Sequence, residues 1–322
     1  MNLIDFIRSK RASRSSSFAG GMNPYRNAGA PEKRLVDFRL YLILLVVNCV
    51  VFVAMWVKSG YASPDNYQLL DWGADFAPLT LTGEPWRLLT SMFLHANWMH
   101  LLMNMYMLFI LGSVLERVIG SWRFGAVYLL SGLGGSLSSS FWNGYHKVLH
   151  TTFQKALSSG MGMAAPVASI RPVVSMGASG ALMGLAGAAC VLALRYPEGW
   201  PRGANIRIRR NAIVQVIGIN LVYGFITSGI DQAAHCGGLL AGAIAAWLLC
   251  QGEPCSSFFR RTGWPVIVAV AGSALMFVAA ARGQSPELLR FKAHANRERQ
   301  AKNIENRAAA EERARPAPVA AP

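Results

Sequence analysis

Residues 173–194 read VVSMGASGALMGLAGAACVLAL. No charged side chain falls between Arg171 and Arg195, and about 20 apolar residues are what a helix needs to cross a bilayer. Ser179 interrupts the run, framed by Ala178 and Gly180. A polar group at such a depth is costly unless it meets a partner, a watery cavity or a task.

The same signature recurs along the chain. Of 322 residues, 53% are hydrophobic and only 15% charged, where soluble domains carry roughly 25% charged residues. Seven stretches are long and apolar enough to span, or nearly so: 40–57, 95–115, 124–142, 175–194, 211–230, 233–250 and 263–281. The expected fold class is all-α, a polytopic membrane helix bundle. It has six spans within 40–250, a seventh C-terminal transmembrane helix at 263–281, a basic flexible segment 1–39 and a charged tail 282–322.

The net charge of +15 comes from basic residues that flank spans, so it speaks for orientation rather than for a nucleic-acid partner. Residues 1–39 hold Lys10, Arg11, Arg14, Arg26, Lys33, Arg34 and Arg39, which the positive-inside rule places in the cytoplasm. Alternation puts the basic 195–210 connection on the same side. No cleavable signal peptide is expected. The cysteines sit in or beside apolar runs and suggest no disulfide framework. Of the outer connections, 58–94 is expected to lie against the membrane surface. YHKVLHTTFQKAL within 143–174 has the spacing of a short interfacial amphipathic helix. The mixed-sign tail from Ser285 onward reads as a solvated helix or a disordered segment.

Few polar groups remain inside the spans. The second carries His95, His100 and Asn104, the fourth Ser179, and the sixth His235. Asn48, Gln215 and Asn220 read as interhelical hydrogen-bonding residues. Spans two, four and six all run in the same direction, and each places its polar residues in its first part. The set therefore lies at one shallow depth below the outer face. Imidazole is the side chain suited to accept a serine proton near neutral pH, so Ser179 and His235 can pair as nucleophile and base. His100 and Asn104, at i and i+4, share a helix face and offer donors to an oxyanion. Gly180, Gly184 and Gly187 after the serine, with Gly238 and Gly242 on the histidine's own face, let the two helices approach closely. HANWMH lacks the HExxH spacing, and the acid nearest these half-spans is Asp231 at the mouth of the sixth, so no metal and no cofactor is expected. Trp86–Arg87, Glu116–Arg117 and Gly120 read as structural.

Taken together, GEPWRLLTSMFLHANWMHLLMNMYMLFILGSVLERVIGSW, SMGASGALMGLAGA and AAHCGGLLAG resemble the rhomboid intramembrane serine proteases over roughly 40–250. The resemblance implies a catalytic dyad of Ser179 and His235 with no third, acidic member. It implies an oxyanion hole from His100, Asn104 and the Ser179 and Ala178 N–H groups, with Gly177 and Gly180 framing the nucleophile. His95 matches a position that holds the outer end of the second span, and Trp86–Arg87 match a loop motif. Family members often carry an aromatic one turn after the serine, where this chain has Met183. Transmembrane protein substrates, cut near their outer ends, are the implied partners, and a bacterial inner membrane the implied location. A proteolytically silent relative that binds transmembrane helices is the alternative. A transporter is disfavoured by the lack of inverted repeats.

Overall fold

A computed structural model describes residues 39–60, 63–150, 167–170, 172–196, 210–226, 230–250, 263–282 and 284–314. The basic segment 1–38 and most of the 195–210 connection lie outside them.

Helix α1 (Leu40–Ser59) closes on Gly60, whose left-handed φ of 74° lets its N–H reach the Trp56 carbonyl. Its first N–H groups, which have no partner within a helix, are capped from elsewhere. Glu116 accepts from Leu40 N–H at 2.7 Å and from Tyr41 N–H at 2.9 Å. The outer connection then folds into short pieces: α2 (Asn66–Asp71), strand β1 (Asp75–Phe76), α3 (Ala77–Thr80), α4 (Arg87–Thr90) and a 3-10 turn over Ser91–Phe93. Arg87 is fully buried beneath them and donates to the carbonyls of Leu70 and Ala74 at 2.7 and 3.0 Å. Its guanidinium also pairs with Glu84 at 2.7 Å and lies 4.6 Å from the Trp86 ring. Burial lowers its pKa, and Glu84 works against that.

The long helices follow. Helix α5 (Trp98–Ile119) starts where the Asn97 side chain accepts His100 N–H at 2.9 Å. His95 therefore stands before the helix rather than on it, a correction to the expected start at 95. Gly120, with φ of 83°, turns the chain into α6 (Ser121–Tyr145). After strands β2 (Lys147–His150), β3 (Val167–Ile170) and β4 (Val174–Ser175) come α7 (Ser179–Arg195), α8 (Arg210–Ile226), α9 (Gln232–Leu249) and α10 (Trp264–Ala281). The Gly- and Ser-rich α6 packs against α7, α9 and α10. The last helix is α11 (Pro286–Ala314), capped by Ser285, whose Oγ accepts Leu288 N–H at 3.2 Å.

The seven apolar runs thus correspond to α1, α5, α6, α7, α8, α9 and α10. Four of these, α1, α5, α9 and α10, are long and apolar enough on their own to cross a membrane, and α7 and α8 are shorter apolar helices. Large hydrophobic side chains such as Val50, Leu102, Val222, Leu240 and Val270 point outward from the bundle. In water such a belt would aggregate, whereas a bilayer solvates it.

One further expectation changes. Lys147–His150 is a strand, not the start of an amphipathic helix: it pairs antiparallel with Val167–Ile170, Lys147 opposite Ile170. There backbone pairing satisfies the N–H and C=O groups across a long connection, and residues 151–166 of the proposed helix lie outside the described ones. Asn48 and Asn220 each donate to their own helix, at Leu44 and Val216, 2.7 and 2.8 Å away. A carbonyl four residues back has a spare lone pair within reach. Just before GASG, Val174–Ser175 pairs with Phe76 and Asp75.

Candidate active site

Ser179 is the first residue of α7, and His235 lies one turn into α9. Ser179 Oγ and His235 Nε2 are 2.9 Å apart. The serine is half-buried and the histidine buried. The closeness of the two helices explains the reach. A β-carbon on Gly238 would lie 2.1 Å from the Gly180 carbonyl oxygen, and one on Gly242 would lie 2.1 Å from that of Gly184. One on Gly187 would meet the Leu239 carbonyl oxygen at 2.3 Å. Only residues without side chains permit this backbone contact.

The loop before the serine is held by the outer connection. Gly177 N–H donates to the Ser91 carbonyl at 2.9 Å, and Gly177 takes a φ of 116°, which L side chains rarely adopt. A β-carbon there would also sit 2.8 Å from His100 Cε1 and Nε2. The His100 ring thus lies directly against the loop that presents Ser179. Its Nδ1 accepts from Ala96 N–H at 3.4 Å, which leaves Nε2 as the proton-bearing nitrogen of a neutral ring. His95, fully buried, sets its ring edge-on to His100 with centroids 5.1 Å apart.

Asn104 is buried one turn further along α5 and donates from Nδ2 to the His100 carbonyl at 2.8 Å. An amide nitrogen has two hydrogens, so one remains for another acceptor. Backbone N–H groups of Ala178 and Ser179 precede the first ladder bond of α7, Leu182 N–H to Ala178 O, and so lack an intrahelical partner. Met183 is buried on α7 one turn after the serine. Trp86 and Arg87 shape the outer connection, where Arg87 holds the Leu70 and Ala74 carbonyls and lies over the Trp86 ring.

Chemically, the corner joins a nucleophile, a base, an imidazole N–H, an amide and free backbone N–H groups at one end of three helices. Sequence reasoning passed over several residues that build it: Ser91, which anchors Gly177; Gly135 of α6, where a β-carbon would lie 2.8 Å from the Ala234 carbonyl oxygen and 3.3 Å from Gly180 Cα; and Asp231, whose side chain accepts Ala234 N–H at 3.0 Å as the cap of α9. An aspartate before an apolar run is a cap signal that could have marked the last.

Comparison with known proteins bears on the family. The family model described as a rhomboid domain matches residues 82–252. The chain is 29% identical over 227 residues to rhomboid protease AarA of Providencia stuartii, covering 69% of this chain and 76% of that protein. It is 30% identical over 229 residues to rhomboid protease GluP of Bacillus subtilis (strain 168), covering 71% of this chain but 38% of that one. Against RHOMBOID-like protein 6, mitochondrial, of Arabidopsis thaliana it is 33% identical over 193 residues, 60% of this chain and 53% of that protein. With the motifs, the helical bundle and a family match over half its length in agreement, the chain belongs to the rhomboid family and is an integral, multi-pass membrane protein.

Proposed function

We propose that the chain is an intramembrane serine endopeptidase that cuts transmembrane segments of other membrane proteins near their outer ends. The observation that carries this reading is the 2.9 Å separation of Ser179 Oγ and His235 Nε2. Relatives named as proteases support it at the level of the family.

The chemistry runs as acyl transfer. His235 Nε2 takes the Ser179 hydroxyl proton as Oγ attacks the scissile carbonyl carbon, and the carbonyl oxygen becomes an oxyanion. His100 Nε2–H, the free Asn104 amide hydrogen and the Ser179 and Ala178 N–H groups are the donors for it. The C–N bond then breaks, and the proton on Nε2 passes to the leaving amine. Water, deprotonated by the same nitrogen, attacks the acyl carbon; the C–Oγ bond breaks, Ser179 Oγ takes back that proton, and the acyl group leaves as the carboxylic acid. A substrate helix hides its carbonyls in hydrogen bonds, so it must unwind before attack. Segments with helix-breaking residues are the preferred substrates.

In this reading residues 40–250 form the catalytic domain, with the seventh helix and the tail appended. The basic N-terminal segment faces the cytoplasm, the site opens toward the outer face, and the host is a bacterial inner membrane. The test is cleavage of a tagged single-span substrate by purified protein in liposomes. Wild type should release two fragments; Ser179→Ala and His235→Ala should release none, and Asn104→Ala should turn over about 10² to 10³ more slowly. Wild-type cleavage that persists in Ser179→Ala contradicts the mechanism. Substrate binding without cleavage in wild type favours the silent helix binder.

A further inference from the structure

His235 has a second ring nitrogen that the dyad does not use. Nδ1 is buried and, among the described residues, has no hydrogen-bond partner. When Nε2 takes the proton of Ser179, the ring becomes an imidazolium with a full positive charge and a second N–H. In a low-dielectric setting an unbalanced charge is expensive. A counter-charge within a few ångströms lowers the transition state selectively, because the ground-state ring is neutral.

The charge of Asp231 acts on the His235 ring. Asp231 is the N-cap of α9, four residues before His235, and its carbonyl accepts His235 N–H at 3.1 Å. The carboxylate is held more firmly than a helix cap requires. Oδ1 accepts Ala234 N–H at 3.0 Å, while Oδ2 accepts from the Ser139 hydroxyl and lies 3.5 Å from Asn143 Nδ2. Asn143 also donates to Ser139 Oγ at 3.2 Å. Both belong to α6, the helix whose Gly135, one turn earlier, touches the Ala234 carbonyl and Gly180. The clamp therefore ties the turn that carries the base to the helix lying against the nucleophile's own turn. The other titratable groups around this corner are His100 on α5 and Asp75 on the outer connection, with Arg87 behind Asp75. Burial first, and the charge of Asp231 in part, push Asp75 up to about 7, so it adds little competing negative charge only below neutral pH.

We propose that Asp231 is a positioning residue for His235: clamped by Ser139 and Asn143, it fixes the turn bearing the base and balances the imidazolium through space. It does so without bonding to the ring, so during acylation the proton moves only between Ser179 Oγ, His235 Nε2 and the leaving amine. The inference rests on the serine-protease reading.

The test separates charge from capping. Asparagine caps a helix as well as aspartate, so Asp231→Asn keeps the cap while it removes the charge and turns the oxygen facing Ser139 and Asn143 into an N–H donor. In liposome cleavage assays Asp231→Asn should lower kcat about tenfold to a hundredfold with KM within about twofold, given the charge separation. The reaction of Ser179 with a fluorophosphonate should slow in parallel. Asp231→Glu, which keeps the charge, should recover a large part of kcat. Thermal midpoints in detergent report whether each variant folds. Wild-type kcat in Asp231→Asn beside a loss in Asp231→Ala means capping alone and overturns the proposal. So does an Asp231→Glu variant no better than Asp231→Asn. If wild type itself shows no turnover dependent on Ser179, the protease reading falls and this inference with it; an active wild type with an unimpaired Asp231→Asn overturns this inference alone.

Discussion

Asp75 shows what the interior does to a single carboxyl. Its Oδ1 accepts from Ser140 Oγ at 2.6 Å and Thr80 Oγ1 at 2.5 Å, while Oδ2 is buried with no hydrogen-bond partner among the described residues. Burial raises its pKa from 3.8 to about 7, the two hydroxyls pull the other way, and the charge of Asp231 adds to the rise. Between pH 4 and 7 the folded protein holds a proton that the unfolded chain has released. Stability therefore falls as pH rises through that window. Asp75→Asn mimics the protonated acid, so its thermal midpoint in detergent should be flatter than wild type from about pH 4 to 7.5. Equal slopes in the two proteins would contradict this account. In the sequence Asp75 is one acid in a broken, aromatic-rich connection. Its environment is made by Thr80 and by Ser140, which is 65 residues away, and no local pattern announces that meeting.

At the scale of elements, the seam between α7 and α9 decides whether a serine on one helix meets a histidine on another. The glycines of GASGALMGLAG and HCGGLLAG recur every three to four residues, so this contact is legible in the sequence itself. The part played by α6 is not, because Gly135 sits in a Ser- and Gly-rich run with no distinguishing spacing. Gly238→Ala would press a methyl group to within 2.1 Å of the Gly180 carbonyl oxygen. The helices must part, which costs about 1–3 kcal/mol as overpacking does elsewhere. A shift near 1 Å between nucleophile and base should reduce cleavage by up to about 10²-fold. Gly218→Ala on α8 is the control, since a β-carbon there meets nothing within 4 Å; it should leave activity unchanged and gain up to about 1 kcal/mol from helix propensity. Thermal unfolding and cleavage rates, measured together, check both.

Across the whole molecule, the bundle is readable because bilayer-spanning helices need long apolar runs, and each of the seven runs forms a helix. Tail and connections are harder. Helix α11 reads as a solvated mixed-charge segment, yet it docks on the outer connection. Leu288 is fully buried with Ala77 and Leu81, Arg299 pairs with Asp71 at 2.6 Å, and Lys302 pairs with Asp65 and lies over the Tyr67 ring. Those partners lie more than 200 residues earlier, beyond the reach of periodicity. The polar set in the spans is legible for the opposite reason. In an apolar run each polar residue stands out, and the direction of the spans fixes its depth. The scaffold behind that set leaves no such trace: Ser91 holding Gly177, and Ser139 with Asn143 holding Asp231, meet only in the folded chain. The dyad itself is open to a direct measurement, the mass-spectrometric location of the adduct formed by a fluorophosphonate on purified protein in detergent. The account predicts a single modified serine, Ser179, in wild type, and loss of that adduct in His235→Ala. An unmodified Ser179, or one that labels as fast without His235, would contradict it.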